Sequence, residues 1–543
     1  MKFSRKLLLI VFSTSLIFSQ SHKMIPFDWS GQFGYVNLNG TIFWNQDWSA
    51  KNLLFDGTWA IYPPMFGPEI EEDFNNNKKD SIDFKKESDI NSFFKYDQGD
   101  YALDNLSLGI DYITQRRFVS LHGFKRTYSG TYNQYYNGSY QPIHQTYLIS
   151  YLSSNDIDYS GLALGHFNTY SGFPDGDTII GSFDNRITNL NLFWERIFSD
   201  FKIKFNIDQF LQRYKVEHSL SYSLSPRFLT RNQFQFEMIY NKNRHSNLAF
   251  GINSNNRNIR IDDYFFKFYW NKNFVKYSSK SISIYADIIP HNNKYYSSYV
   301  LEFDKTFANF QLYLNQSSTF NPIHPYYIFN NINAVDLQPF MKKNYRFGKL
   351  TWNKKNHQFS ADISQVIDDD KFWNTVRISD DKIKNTYSQS NLNYETNIGS
   401  NFEIIFNYMM QEKNNLYSGG IGKIMGIKMR SYFNLFKGFL NLNINGEIKH
   451  LGDRSNNSFI NPIEMVPIEN NFGNTIISNP VNIINTSIEA KVATFSIRYE
   501  WINIAEIILG SLNSDSHNYF AIHPQMPDLG RQMNLSIEWY FQD

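Results

Sequence analysis

From about residue 101 to the end of the chain, apolar and polar residues alternate with a period of two in one segment after another. Phe201, Ile203, Phe205 and Ile207 interleave with Lys202, Lys204, Asn206 and Asp208, and Phe234, Phe236 and Met238 with Gln233, Gln235 and Glu237. The same pattern returns at Ile282–Ile288, Phe402–Tyr408, Leu440–Ile448 and Phe495–Trp501. Successive side chains of a strand point to opposite faces, so each segment predicts a strand with one apolar and one polar side. The segments exceed the roughly five or six residues usual for soluble strands. Trp270, Trp352, Trp539 and Tyr540 lie at predicted strand ends, as aromatic girdles at a membrane surface would.

The closing stretch is the clearest case. Leu535, Ile537, Trp539 and Phe541 fall on one face, and Asn534, Ser536, Glu538 and Tyr540 on the other. The pattern predicts an all-β fold, a transmembrane antiparallel up-and-down β-barrel, with a large secreted β-sandwich or propeller as the soluble alternative. At ~20 residues per strand and connection, the chain from Tyr101 onward gives roughly 20 to 22 strands.

Short connections are expected at Ser199-Asp200, Asp304-Lys305-Thr306, Asn353 to Asn356, Gly399-Ser400 and Lys437-Gly438. Long ones are expected at 130–142, 171–185, 318–341, 367–385, 451–484 and 505–530. Counted from the two ends, the alternation of long and short connections disagrees by one. Either a strand between 200 and 290 is misplaced or one strand precedes residue 100.

The N-terminal part differs. Lys2, Arg5 and Lys6 precede an apolar run from Leu7 to Phe18, and Ser19-Gln20-Ser21 offers small residues for cleavage. This order predicts a signal peptide over 1–20. Residues 21–100 form a separate segment, with strands expected at Gln32 to Trp44 and Leu53 to Tyr62. A charge-mixed stretch over 69–98 reads as a solvated linker, with occlusion of a lumen as the alternative. The barrel is then assigned to 101–543.

Composition narrows the class. The chain has 49 Phe, 36 Tyr and 10 Trp, a net charge of +1 and no Cys. No basic field for nucleic acid exists, and disulfides, zinc–thiolate sites and cysteine nucleophiles are excluded. No Gly-x-Ser-x-Gly elbow occurs, so no enzyme is expected. Gly419-Gly420-Ile421-Gly422-Lys423 lacks Walker spacing and reads as the top of a strand. Asp175-Gly176-Asp177 with Asp184-Asn185 lacks EF-hand spacing and reads as a plain turn rather than a Ca²⁺ site. Asp368-Asp369-Asp370 and Asp380-Asp381 read as solvated loop charge. No metal or cofactor is expected.

If Phe, Ile and Leu face lipid, the other face is wet. The candidate pore-lining residues are Lys202, Lys204, Asp208, Glu237, Asp287, Glu403, Glu447, Lys449, Arg498 and Glu538. A Lys or Arg at mid-depth on the lipid face would cost about 2–4 kcal/mol, which sets the orientation. Four of the ten are basic and six acidic, so no single-sign selectivity is expected.

The end of the chain resembles a known family. Asn485 to Asn503 is followed by a loop with Tyr519, Pro524, Met526, Pro527, Gly530 and Arg531, then the strand ending Trp539-Tyr540-Phe541. This resembles the end of the putative porins of Bacteroidota-type outer membranes, and the related ending of TonB-dependent receptor barrels. It departs from the pattern in placing Asp528-Leu529 between Pro527 and Gly530. No clear TonB box is found, and 24–100 is short for a receptor plug, so the resemblance implies the porin-like branch.

The expected function is therefore passive diffusion of small polar solutes through a water-filled lumen in the outer membrane of a Gram-negative-type cell. One alternative is a TonB-linked receptor or accessory barrel with a separate plug or surface lipoprotein. The other is a structural or adhesive barrel acting through its loops. Expected partners are outer-membrane lipid and lipopolysaccharide, the barrel-assembly machinery and the solute.

Overall fold

The structure is a computed structural model. It describes residues 35–38, 41–44, 88–100, 102–127, 143–172, 181–218, 224–243, 246–261, 264–322, 339–368, 386–411, 422–455, 458–460, 467–469, 477–505 and 531–542. The signal peptide and the strand expected at Leu53 to Tyr62 lie outside them.

Twenty-two antiparallel strands close into one barrel, each hydrogen-bonded to the strands before and after it in sequence. Closure is made by the last strand, Gln532–Gln542, against the first, Asp89–Gly99, with Glu538 opposite Lys95 and Asn534 opposite Gly99. The Met533 amide donates to the Asp100 carboxylate at 2.9 Å, and the Asp100 amide donates to the Met533 carbonyl at 2.9 Å. A closed sheet leaves no unpaired edge, which lets backbone cross a bilayer without unsatisfied polar groups.

The first wall strand lies at Asp89–Gly99, so the wall starts before Tyr101 and takes in the end of the stretch read as linker. Of the two explanations for the mismatched alternation, this provides the strand before residue 100. A further cause is visible at the two rims. Connections at one rim are two to four residues long, as at 114–116, 198–200 and 493–494. Those at the other rim run to 29 residues (452–480 and 503–531), but Asp262-Asp263 and Asn292-Asn293 are as short as any opposite turn. Asn292 and Asn293 both have positive φ, 47° and 61°, which makes a two-residue reversal feasible. The turn expected at Asp304-Lys305-Thr306 falls at Ala308-Asn309, since the strand Lys294–Phe307 continues through it.

The stretch Gln32 to Trp44 is not one strand. Tyr35–Leu38 and Thr41–Trp44 pair antiparallel across Asn39-Gly40, a dipeptide suited to a tight hairpin. This hairpin lies against the strands Ile143–Ser154, Asp158–Gly172 and Gly181–Ile197.

The two faces of the wall separate as the alternation requires. Side chains crowd on the concave inner face and spread on the convex outer one, so the less exposed parity is the inner. Phe234, Phe236 and Met238 are exposed, whereas Arg231, Gln233 and Glu237 on the same strand, Leu224–Asn243, are buried. Leu535, Trp539 and Phe541 are likewise exposed, and Ile537 shares their parity. These residues form the apolar belt that a bilayer covers.

Candidate functional site

Strand register places all ten sequence-derived polar candidates on the inner face. The structure also supplies what the sequence did not: an opposite charge for each. Lys202 meets Glu195 at 2.7 Å, and Lys204 meets Glu237 at 3.8 Å. Asp208 meets Arg231 at 3.2 Å, and Asp287 meets Lys272 at 4.0 Å. Glu403 takes Arg430 at 2.8 Å, and Glu447 takes Lys449 at 3.8 Å. Arg498 pairs with Glu500 at 2.6 Å, and Glu538 with Lys95 at 2.9 Å across the closing seam.

Most of these pairs cross between adjacent strands, or join residues two apart on one strand. Glu237 stands opposite Lys204, Arg430 opposite Glu403, and Lys95 opposite Glu538. Period-two reading finds the face of each strand but not which residue stands opposite on the next. Glu195, Arg231, Lys272, Arg430 and Lys95 were missed for that reason, whereas Glu500 shares the strand and face of Arg498 and was legible from the alternation.

All of the pairs but Glu403–Arg430, which reaches onto Phe402–Gln411, fall into two arcs. Between Gly181 and His291 the inner face is packed. Asp208 and Arg231 are 0% and 1% exposed at their side chains. Around them Asn191, Asn206, Gln212, Gln233, Asn255 and Arg257 are also buried. Asn191 donates to Asn206 at 2.7 Å, and the Arg231 guanidinium lies 5.4 Å from the Phe210 ring centre.

Aromatic clusters flank this arc and reach onto the neighbouring strands. Toward the short-turn rim, Phe118, Leu152, Tyr159 and Phe193 pack together. Toward the long-loop rim, Phe268, Trp270, Ile289, Tyr296 and Phe340 do the same, with Arg257 stacked 4.5 Å above Trp270. Pairing between Tyr264–Ser279 and Ile282–His291 runs only from Asn273–Ser278, and the second cluster packs where it stops.

Trp270 therefore does not belong to a lipid-facing girdle. It is 3% exposed and shares the inner parity of Lys272 and Phe274. Tyr540 likewise takes the inner parity, beside Glu538 and Phe93.

Along the wet arc, from Lys423 round the seam to Gly99, the inner ion pairs reach water, although Asp97, Ser487 and Ser496 on the same face are buried. Lys95 and Arg498 are 34% and 45% exposed at their side chains. Asn443 donates to Glu489 at 3.1 Å, Asn485 to Glu447 at 3.1 Å, and Asn445 to Ser487 at 3.1 Å. This arc carries acids, bases and amides along the length of its strands, and it can offer both donors and acceptors to a polar solute.

The Ca²⁺ alternative finds no support at the residue described. Asp184 is held by Arg186 at 2.9 Å and Arg213 at 3.1 Å, while 175–177 lie outside the described residues. Lys423 opens the strand Lys423–Leu435. Among the described residues no group of three or more His, Asp or Glu is placed to hold a metal ion.

No family model matches the chain, and no curated protein is similar to it. Solved structures are similar in fold. The FrpB iron transporter from Neisseria meningitidis (F5-1 variant) matches at 8% identity with a TM-score of 0.62, over 85% of this chain and 83% of that one. The siderophore receptor PirA from Acinetobacter baumannii matches at 10% identity with a TM-score of 0.62, over 85% and 81%. The ferric yersiniabactin uptake receptor FyuA from Yersinia pestis matches at 8% identity with a TM-score of 0.58, over 85% and 81%. Of the two resemblances at the C-terminal end, the one to receptor barrels has its fold among these structures. The chain is a closed 22-strand outer-membrane barrel with the fold of the TonB-dependent receptors.

Proposed function

We propose that this barrel is a TonB-linked uptake receptor or accessory barrel for a small polar solute, and not an open diffusion pore. The strand number carries the reading. Porins of 16–18 strands enclose an aqueous channel, whereas 22-strand outer-membrane transporters hold a filled lumen. The packed inner arc supports it, because a buried Asp208–Arg231 pair with amides around it is the environment of an occupied interior, not of free water. The solute then engages the wet arc, where paired charges of both signs favour a ligand rich in hydroxyl, amide or chelating oxygen groups. Iron–chelate complexes, which several fold neighbours carry by name, are the first class to test.

The test is conductance of the folded, heat-modifiable protein in a planar bilayer. The uptake reading expects inserted protein without stable conducting steps. Long-lived large steps from native protein would return the assignment to passive diffusion.

A further inference from the structure

We infer that the barrel seam binds a calcium ion through the side-chain oxygens of Asp97, Asn105 and Asn534, which ties the last strand to the first two. The inference does not depend on what the lumen carries.

Polar groups do not close among themselves at this place. Asp97 on Asp89–Gly99 stands opposite Asn105 on Leu103–Ile113, and the two residues are 6% and 2% exposed. Asn105 Nδ2 donates to Asp97 Oδ2 at 2.7 Å. That bond leaves Asp97 Oδ1 and Asn105 Oδ1 buried, with no hydrogen-bond partner among the described residues. Asn534 Oδ1, from the last strand, is buried and unpartnered in the same way. Register brings it to the other two, because Asn534 stands opposite Gly99 and Ser536 opposite Asp97. Gly99 is the next inward residue after Asp97, and a Cβ there would collide with Asn534 Oδ1. The amide oxygen therefore lies over the inner face of the first strand, beside Asp97.

Among the described residues, three acceptors meet at the seam without a donor. Asp97 also carries a charge that its neighbours do not answer. Lys95, the inward residue before it, is taken by Glu538 at 2.9 Å, and Arg498 by Glu500 at 2.6 Å. A buried carboxylate bonded only to a neutral amide calls for a cation, since burying an unpaired charge is costly. A bridging water would donate to two of the three oxygens and leave the charge unmatched.

The ligand set selects the ion. Ca²⁺ takes roughly six to eight oxygens from carboxylates, amide carbonyls and water, at about 2.3–2.6 Å and in flexible geometry. Mg²⁺ demands a tighter, near-octahedral shell and gives up its waters reluctantly. Amides replace all but one acid here, so the site lies outside any grouping of three acidic or imidazole ligands. With a single carboxylate the affinity belongs to the weak class, about 10⁻⁴–10⁻³ M. The ion would join three strands across the closure, on the long-loop side of the Lys95–Glu538 pair.

The experiment uses the full-length folded barrel stripped with EDTA. Calcium binding is followed by calorimetry, and the heat-modifiable gel shift gives the unfolding temperature with and without CaCl₂. Wild type should bind calcium and unfold at a higher temperature in its presence. Asp97→Asn keeps the size and the Asn105 contact but drops the charge. It should bind at least about tenfold more weakly and lose the calcium-dependent shift. Asn534→Ala should behave in the same direction. Asp104→Asn, which removes an exposed acid next to Asn105 on the outward face, should respond like wild type. The readout is the difference between the two conditions, so a change in basal stability lends no support. If Asp97→Asn fails to fold, Asn534→Ala decides alone. A calcium shift that survives both substitutions would overturn the proposal, placing the ion on carboxylates elsewhere. No shift in wild type up to about 10 mM, well above the expected affinity, would overturn it too and leave the oxygens to water. Equal shifts from MgCl₂ or NaCl at matched ionic strength would also overturn it, as plain charge screening.

Discussion

The packed and wet arcs are built from the same strand grammar, yet their inner charges live in different solvents. Asp208 with Arg231 and Lys95 with Glu538 are all cross-strand ion pairs, at 3.2 and 2.9 Å. The shorter one contributes less to stability. In the wet arc water screens each charge, so a pair is worth about 0–1 kcal/mol. In the packed arc removing one partner strands a buried charge, at about 3–5 kcal/mol. Distance alone does not rank the pairs; the surroundings of each arc do.

The largest expected effect follows directly. Arg231→Met should lower barrel stability by about 3–5 kcal/mol, read as a shift in the denaturant midpoint of folded protein. An effect below that of Lys95→Met would break the distinction between the arcs.

Two glycines sharpen the comparison at an intermediate scale. In the cluster near the short-turn rim, a Cβ on Gly161 would come within 2.6 Å of Leu152 and Phe193, so Gly161→Ala should cost about 1–3 kcal/mol by overpacking. On the wet arc, a Cβ on Gly426 would meet only the Ile448 carbonyl at 3.9 Å. Gly426→Ala should therefore be neutral or stabilising by about 0.5–1 kcal/mol, since alanine loses less chain entropy on folding. Matching melting shifts for the two variants would contradict this.

The smallest effect belongs to the seam. Lys95→Met or Glu538→Gln should change stability by about 0–1 kcal/mol, a difference that rising salt erases. A large, salt-resistant loss would mean that the seam pair is desolvated after all.

These contrasts show what the sequence could and could not carry. The face of each charge was legible because a one-residue slip would turn Lys204, Asp208 and Glu237 into lipid, a cost the chain cannot absorb. Barrel closure and the approximate strand number followed from segment length. The partners were hidden, since register between strands separated by connections of two to 29 residues leaves no local trace. Trp270 was misplaced for a related reason. On Tyr264–Ser279 both parities mix aromatic and polar residues, with Phe265, Lys267 and Tyr269 against Phe268, Trp270 and Lys272, so the period signal is weak. Asp89–Gly99 was hidden because residues 69–98 are a charge-mixed stretch, and its outward residues Ile90, Phe94 and Tyr96 are interrupted by Ser92. The division into a dry and a wet arc has no one-dimensional signature, because Asn, Gln, Asp and Arg populate both.

The absence of Cys from the chain gives the division its most direct test. Single cysteines placed at Gln233 on the packed arc and at Ser536 on the wet arc would be exposed to a charged, membrane-impermeant thiol reagent in folded barrels. Both positions have inward parity, so lipid shields neither. The account predicts that the Ser536 position reacts at least about tenfold faster, as access governs thiol modification. Equal, rapid modification at both would mean a lumen open to water all round, and would contradict the packed arc and the uptake reading built on it.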